Sequence, residues 1–402
     1  MRNYYGGATL MLALSFGLWS CDEEAENPSI EVPETYVFER EGVSTVSFGG
    51  QTTRISMGEE LLNALKDPIQ TENSLLAMYN HQEGDLDFSD DALNSSDKSL
   101  RSKTAASADY FSTNSADALS IKEDFDGWIS AQAIEVFPSW ETVATPGTSG
   151  QIADGESTRY VSAGGVEYNQ IVNKGLIGGL MADQMLNNYL STAVLDAGNN
   201  ISDNDAGLPA EGKDYTTMEH KWDEAYGYLY GASADPADPN VTLGDDDSFL
   251  NKYLGRVEDD EDFAGIADEI YQAFKTGRAA IVSGDYDLRD NQASVIREAV
   301  SLVIGVRAVY YLENGSVALE NQNFGGAFHD LSEGLGFVYS LQFTRNPETG
   351  GPYVSKAEVD GYLAEILENG NNGLWGVTPT TLSDIAEEIA LRFGITVDQA
   401  AN

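Results

Sequence analysis

The sequence predicts a mainly α fold: two stacked helical bundles with a short N-terminal β-hairpin. Three observations predict it. Apolar residues recur at steps of three and four in about ten segments, the spacing that gathers them on one helix face. Gly, Pro and Asn divide those segments, as at Ser283-Gly284, Asn314-Gly315, Asn346-Pro347 and Asn369-Gly370. Strong period-two alternation is confined to Thr35–Ile55, and there is no repeat at a solenoid period.

The elements follow in order. Met1 to Ser20 holds one basic residue, Arg2, an apolar run from Ala8 to Trp19, and the end Leu18-Trp19-Ser20-Cys21. That run is too short to span a bilayer, and a small residue directly before a cysteine is the cut site of a bacterial lipoprotein signal. Residues 1–20 are therefore expected to be a lipoprotein signal peptide, and Cys21, the one cysteine of 402 residues, the lipidated start of the mature chain. A lipidated Cys21 leaves neither a disulfide nor a thiolate metal site. Residues 21–34 begin Asp22-Glu23-Glu24-Ala25-Glu26-Asn27-Pro28, an acidic tether unable to pack. Such an acidic run resembles a signal for display on the outer face of the outer membrane. The expected location is the cell envelope, as an outer-membrane lipoprotein, with surface exposure as the finer expectation.

Tyr36, Phe38, Val43, Val46 and Phe48, broken by Glu41-Gly42, predict the hairpin. Helical spacing follows from Glu59 to Leu65, and residues 85–118 read as a long irregular connection. A helix from Ile121 to Phe137 stops at Pro138. The stretch 142–165 is rich in Gly, Ser and Thr and reads as loop. The clearest helix runs from Glu167 to about Leu195, where Gly175, Gly178 and Gly179 predict close approach of another helix. Another spans Thr216 to Tyr230. Gly231–Asp247, with Pro236 and Pro239, is the expected boundary between an N-terminal half (35–230) and a C-terminal helical bundle (247–395). The latter has helical patterns at 262–282, 288–312, 327–343, 355–368 and 381–393.

Composition narrows the function. With 22 Lys plus Arg against 66 Asp plus Glu, the net charge is −44. Such a surface repels nucleic acid and anionic headgroups and attracts cations, so no nucleic-acid partner is expected. The scarce arginines, among them Arg159, Arg278, Arg289, Arg297, Arg307 and Arg345, are each expected to end in an ion pair.

Three histidines are present, His81, His220 and His329. His220/Glu224 and His329/Glu333 are four apart, so each pair shares a helix face and could offer an imidazole and a carboxylate to zinc or iron. In so acidic a chain that spacing also arises readily by chance, and the competing role is a carboxylate that orients a buried histidine. His81 reads as a helix C-terminal cap. No phosphate-binding loop, nucleophile elbow or His-Glu-x-x-His pattern occurs.

Several long blocks carry a resemblance. They include Ser44-Thr45-Val46-Ser47-Phe48, Gly150-Gln151-Ile152-Ala153-Asp154-Gly155, Ser157-Thr158-Arg159-Tyr160-Val161 and Glu167-Tyr168-Asn169-Gln170. Others are Met218-Glu219-His220-Lys221-Trp222-Asp223-Glu224, Gly277-Arg278-Ala279-Ala280 and Phe328-His329-Asp330-Leu331-Ser332-Glu333-Gly334. From about Thr35 to Phe393 the chain resembles a family of bacterial lipoproteins of unknown function distantly related to the imelysins. Imelysins are two-bundle helical envelope proteins associated with iron uptake and once classed as candidate metallopeptidases. Their signature is Gly-x-His-x-x-Glu; here the residue two before His329 is Ala327, and the acid is Glu333, four after.

The resemblance implies the fold and the envelope location, and iron-linked function by analogy. The expected function is a non-enzymatic, lipid-anchored binding protein, accessory to iron or haem uptake and acting with components of that system. His220, Glu219, Glu224, His329 and Glu333 are its candidate ligands, Arg159 and Tyr168 its candidate lining residues, and iron, haem or zinc its candidate cofactor. One alternative is a zinc-dependent hydrolase with His220 and His329 on one ion. Another is a ligand-free cell-surface interaction or scaffold protein presenting some of its 20 tyrosines. A polar cavity separates binding from scaffolding, and convergence of the two histidines separates hydrolase from both.

Overall fold

A computed structural model describes residues 30–368 and 372–401. The leader, Cys21 with its expected lipid, the acidic run and Asn369-Gly370 lie outside the described residues.

Strands β1 (Glu39–Arg40) and β2 (Val43–Ser44) pair antiparallel, which is the N-terminal hairpin the alternation predicts, shortened to two residues a side. Its flanking aromatic residues are used for packing instead: Tyr36 stacks on Tyr226 with ring centroids 3.7 Å apart. A longer hairpin, β3 (Gly150–Asp154) with β4 (Ser157–Val161), occupies the stretch expected to be loop. Its two-residue turn Gly155-Glu156, with Gly at positive φ in the first place, is a hairpin signal that the Gly/Ser/Thr composition obscures.

The rest is helical, as expected. The first helices are α1 (Gly49–Ala64), α2 (Glu72–Tyr79), α3 (Asp91–Asn94), α4 (Leu100–Lys103) and α5 (Ser115–Ala131). Next come α6 (Tyr168–Leu176), α7 (Thr192–Leu195), α8 (Asn200–Asp205) and α9 (Thr217–Tyr230). After Gly231–Asp247 follow α10 (Leu250–Glu258), α11 (Ile266–Ser283), α12 (Tyr286–Glu320), α13 (Phe324–Ser340), α14 (Lys356–Glu368), α15 (Pro379–Phe393) and α16 (Val397–Ala400). No described helix is long and apolar enough to cross a membrane.

Three departures from the sequence reading have physical causes. Helix α10 lies outside the expected helices, because Lys252, Arg256 and Glu258 interrupt an apolar stripe that Leu250, Tyr253, Leu254 and Val257 nonetheless keep at helical spacing. Helix α12 runs through Asn314-Gly315 instead of ending there. A Cβ at Gly315 would stand 2.4 Å from Leu331 Cδ2, so this glycine lets α13 approach and is no helix stop. The clearest helix divides: α6 passes into π-helical turns at Ile177–Ala182 and Met185–Tyr189 before α7.

The close approach expected at the three glycines of that helix is present. A Cβ on Gly178 would lie 2.6 Å from Ser340 Cα on α13, and Ser340 Oγ there accepts the Gly178 N–H at 3.1 Å. Helix α12 is the centre of the packing, with α11, α13 and α15 against it, while α6 lies on α13. Helices from either side of Gly231–Asp247 belong to one unit, Val32–Asn402.

Four of the six arginines singled out end in ion pairs: Arg159 with Asp154, Arg278 with Glu219 and Asp223, Arg289 with Asp196 and Asp290, Arg345 with Asp109. Arg297 departs from the expectation. It donates to the carbonyls of Leu186 and Leu190, at 3.2 and 2.8 Å, in the region where the π-turns end and leave carbonyl groups to satisfy. Arg307 departs further, as described below.

Candidate functional site

Helices α10, α12 and α13 enclose a cleft of about 750 Å³. Residues three or four apart on a helix share a face, and each helix turns one such set inward. Helix α10 contributes Lys252, Tyr253 and Arg256, α12 contributes Arg307, Tyr310 and Tyr311, and α13 contributes His329, Asp330 and Glu333. The turn after α10 adds Asp259, Asp260, Glu261 and Asp262 at the mouth.

A charged network lies beneath His329. Its Nδ1 is 3.3 Å from Glu167 Oε2, and its Nε2 is 3.7 Å from Glu333 Oε1. Lys174 on α6, 3% exposed, reaches Glu333 Oε1 at 2.9 Å and Gln170 Oε1 at 2.6 Å. The Tyr253 hydroxyl donates to Glu333 Oε2 at 3.5 Å. Burial by itself would raise the Glu333 carboxyl, but the charges of Lys174 and His329 overcome it and hold the group down to about 2. Burial likewise opposes a charge on His329, and the hydrogen bond and charge of Glu167 with the charge of Glu333 outweigh it, so the imidazole is raised above its ordinary value. Asp330 is pushed up to about 6, chiefly by burial.

Arg307 is the exception among the arginines. It is 6% exposed, yet among the described residues no carboxylate pairs with it, and its buried Nε has no hydrogen-bond partner. The guanidinium instead lies over the rings of Tyr310 at 3.8 Å, Tyr311 at 4.7 Å and Tyr253 at 5.7 Å. Tyrosines at i+3 and i+4 hold its plane while leaving its hydrogen-bonding capacity unspent.

The other predicted residues fall elsewhere. His220 Nδ1 meets the Ser47 carbonyl at 2.9 Å, its ring stacks on Tyr215 at 4.5 Å, and Nε2 lies 3.8 Å from Glu224. Burial lowers this imidazole. Glu224 is bound by Lys221 at 2.6 Å and by Gln51 at 3.2 Å. Glu219 closes a capping box with Thr216 at the start of α9 and accepts from Arg40 and Arg278. Tyr168 donates to Glu135 at 3.2 Å, and Arg159 is paired with Asp154, near enough for its charge to act on His329 without lining the cleft.

The two histidines therefore have separate partners, and His220 does not line the cleft of His329. Among the described residues no group of three or more His, Cys, Asp and Glu is placed to hold a metal ion. The carboxylates of Glu167 and Glu333 face opposite nitrogens of one ring and so cannot converge with it on one ion. His81 is not a helix cap: it is buried and its Nδ1 contacts Asp87 at 2.7 Å.

Sequence reasoning missed Glu167, Lys174, Arg307 and the tyrosines. Glu333 has a sequence signal in its spacing from His329, and Arg307 one in the tyrosines three and four residues on; the partner Glu167 lies 162 residues from His329.

Two expected results follow from this electrostatic arrangement. His329→Gln should lower the stability of the ligand-free protein by about 1 to 3 kcal/mol, since it breaks a bond to a largely buried carboxylate; chemical denaturation measures it. An unchanged unfolding free energy would show that the imidazole is not held by Glu167.

The pH dependence has a definite sign. Burial raises Asp183 to about 6, Asp223 to about 6 and Asp247 to about 7. Groups raised in the fold contribute stability that is full below their unfolded values and lost as pH rises through the folded ones, and His329 acts in the same sense. His220, lowered, opposes them. The melting temperature should thus rise as pH falls from 8 to 5. Below about pH 4.5 the Glu333 contribution begins to be lost, because its folded value is near 2. A melting temperature that falls steadily from pH 8 to 5 would contradict this balance.

No curated protein and no solved structure matches the chain. A family description matches residues 33–396, from before the first hairpin to the end of the helical core. By that match the chain belongs to the family described as Domain of unknown function (DUF4856).

Proposed function

We propose that this protein is a non-enzymatic binding protein of the cell envelope, of imelysin-like fold, held to the outer membrane through lipid on Cys21. The observation that carries the binding role is the polar cleft with its almost fully buried Arg307, which has no carboxylate partner among the described residues. A buried charge without a partner costs several kcal/mol, a cost that a ligand would relieve and a scaffold has no reason to carry. The anchor and the location rest on the leader and the family resemblance.

The role accessory to iron or haem uptake rests on that resemblance and on the acidic, cation-attracting surface. Of the iron-bearing ligands, haem suits the cleft better than a bare ion. Haem brings its own four nitrogen ligands and asks for one or two from the protein, which His329 would supply from Nε2 in its neutral form, with Nδ1 held by Glu167. Arg307, Lys252 and Arg256 on the walls would offset part of the repulsion between haem's two carboxylates and the six carboxylates that share the cleft. A bare ion needs three or four converging ligands, and the described residues offer no such group. The same deficiency, with His220 outside the cleft, leaves the zinc hydrolase without a supporting observation.

The test is titration of the purified protein with haem, iron and zinc beside an equally acidic control protein. Saturable haem binding weakened by His329→Ala supports the reading. Binding of all three no stronger than to the control removes its iron-linked part.

A further inference from the structure

The ligand chemistry of the cleft can be taken further, on the reading that it is a ligand site. At the floor stands one cationic group with no carboxylate among the described residues, Arg307, its plane fixed over Tyr310. At the mouth stand Asp259, Glu261 and Asp262, exposed, and Asp260, half-buried. The other acid at depth, Glu333, is already matched by Lys174 and His329. Nearer the mouth half-buried Lys252 and exposed Arg256 stand against those four acids and half-buried Asp330, so charge is graded from positive at the floor to net negative outside.

A guanidinium with a fixed plane presents parallel N–H donors to one planar acceptor pair, the geometry of a carboxylate. A multiply charged anion is disfavoured, since six carboxylates line the cleft against three Lys and Arg side chains. A simple cation is disfavoured at the floor by Arg307 itself. A molecule with a carboxylate at one end and a cationic group at the other satisfies both ends. We propose that the cleft takes a small zwitterion, its carboxylate seated on Arg307 and its cationic end at the acidic turn 259–262.

The experiment is calorimetric titration of the purified protein with glycine, 4-aminobutyrate and 6-aminohexanoate, a series of increasing charge separation, with hexanoate and hexylamine as single-charge controls. The expected result is saturable binding of at least one zwitterion, about tenfold or more tighter than either control. Arg307→Met should weaken it by about 30-fold or more, the loss typical of a buried charged hydrogen bond, with the ligand-free melting temperature held or raised. A purely structural arginine would instead lower that temperature on replacement. If Arg307→Met does not fold, the exposed pair Asp259→Asn with Glu261→Gln carries the test: it should weaken the zwitterion severalfold while hexanoate binding holds or tightens.

Absence of saturable binding across the series overturns the proposal. So does equal affinity of wild type and Arg307→Met, or hexanoate binding as tightly as the best zwitterion. Haem binding without zwitterion binding overturns this inference and leaves the haem reading intact. Zwitterion binding without haem, iron or zinc does the reverse.

Discussion

Replacing Glu333 by Gln is expected to destabilise the protein by about 3 to 5 kcal/mol, because it leaves the ammonium of Lys174 buried without a counter-charge. Lys174 is 3% exposed and its strongest partner is Glu333 at 2.9 Å. His329 loses one of its two carboxylates in the same step. The partner experiment separates a missing charge from a missing shape. Lys174→Met combined with Glu333→Leu removes both charges and should cost far less than Glu333→Gln alone, since a buried ion pair is often replaceable by apolar groups of similar volume. Urea denaturation at pH 7 measures both variants. The sign is fixed by linkage: Glu333 is lowered in the fold, so its contribution is present above about pH 4.5 and lost as pH falls towards 2. An effect below about 1 kcal/mol would mean that water, and not Glu333, compensates Lys174.

Arg278→Ala should have an effect of the same order, about 3 to 5 kcal/mol. The guanidinium is fully buried between Glu219 Oε1 and Asp223 Oδ1, both at 3.1 Å, and also donates to Thr45 Oγ1 at 2.9 Å. Tyr36 donates to Asp223 at 2.8 Å, and Arg40 also pairs with Glu219. This one arginine therefore fastens the N-terminal hairpin to α9 and α11. Without it Asp223, already pushed up to about 6 by burial, would take up a proton near neutral pH. The loss should accordingly shrink as pH falls, and a destabilisation independent of pH between 5 and 8 would contradict the assignment. Arg278 does not line the cleft, so this substitution should reduce the population of folded protein without altering ligand affinity.

How much of this was legible in the chain depends on the range of the interaction. The i,i+4 pairs His220/Glu224 and His329/Glu333 were legible, and both are present, at 3.8 and 3.7 Å. Their long-range partners were not. Nothing in the sequence near His329 points to Glu167 or Lys174, which α6 brings to it by packing on α13. Nor did spacing distinguish the two pairs, although only His329 borders the cleft while His220 is occupied by Ser47 and Tyr215. Arg307 shows the limit most plainly. An ion pair is the reasonable expectation for an arginine in so acidic a chain, and Arg278, Arg289 and Arg345 meet it. At Arg307 the neighbours one turn on are Tyr310 and Tyr311, whose faces hold the side chain without neutralising it. The sequence carried that clue in Arg307-Ala308-Val309-Tyr310-Tyr311, but not which helices would close over it.

The helical class was legible from apolar periodicity, and its errors are informative. Gly178 and Gly315 both admit a neighbouring helix, but Asn314 before Gly315 gives that pair the look of a helix stop. Composition favoured loop over β3–β4, although Gly150–Val161 pairs in an unbroken register from Gly150↔Val161 to Asp154↔Ser157.

The central claim is that the α10–α12–α13 cleft is a ligand site organised around Arg307. It is tested most directly by native mass spectrometry of the full chain purified from the cells that produce it, wild type beside Arg307→Met. The account predicts a non-covalent small-molecule mass on the wild type that is absent from the equally folded variant. The same ligand-free mass for both, or the same bound mass on both, would contradict it.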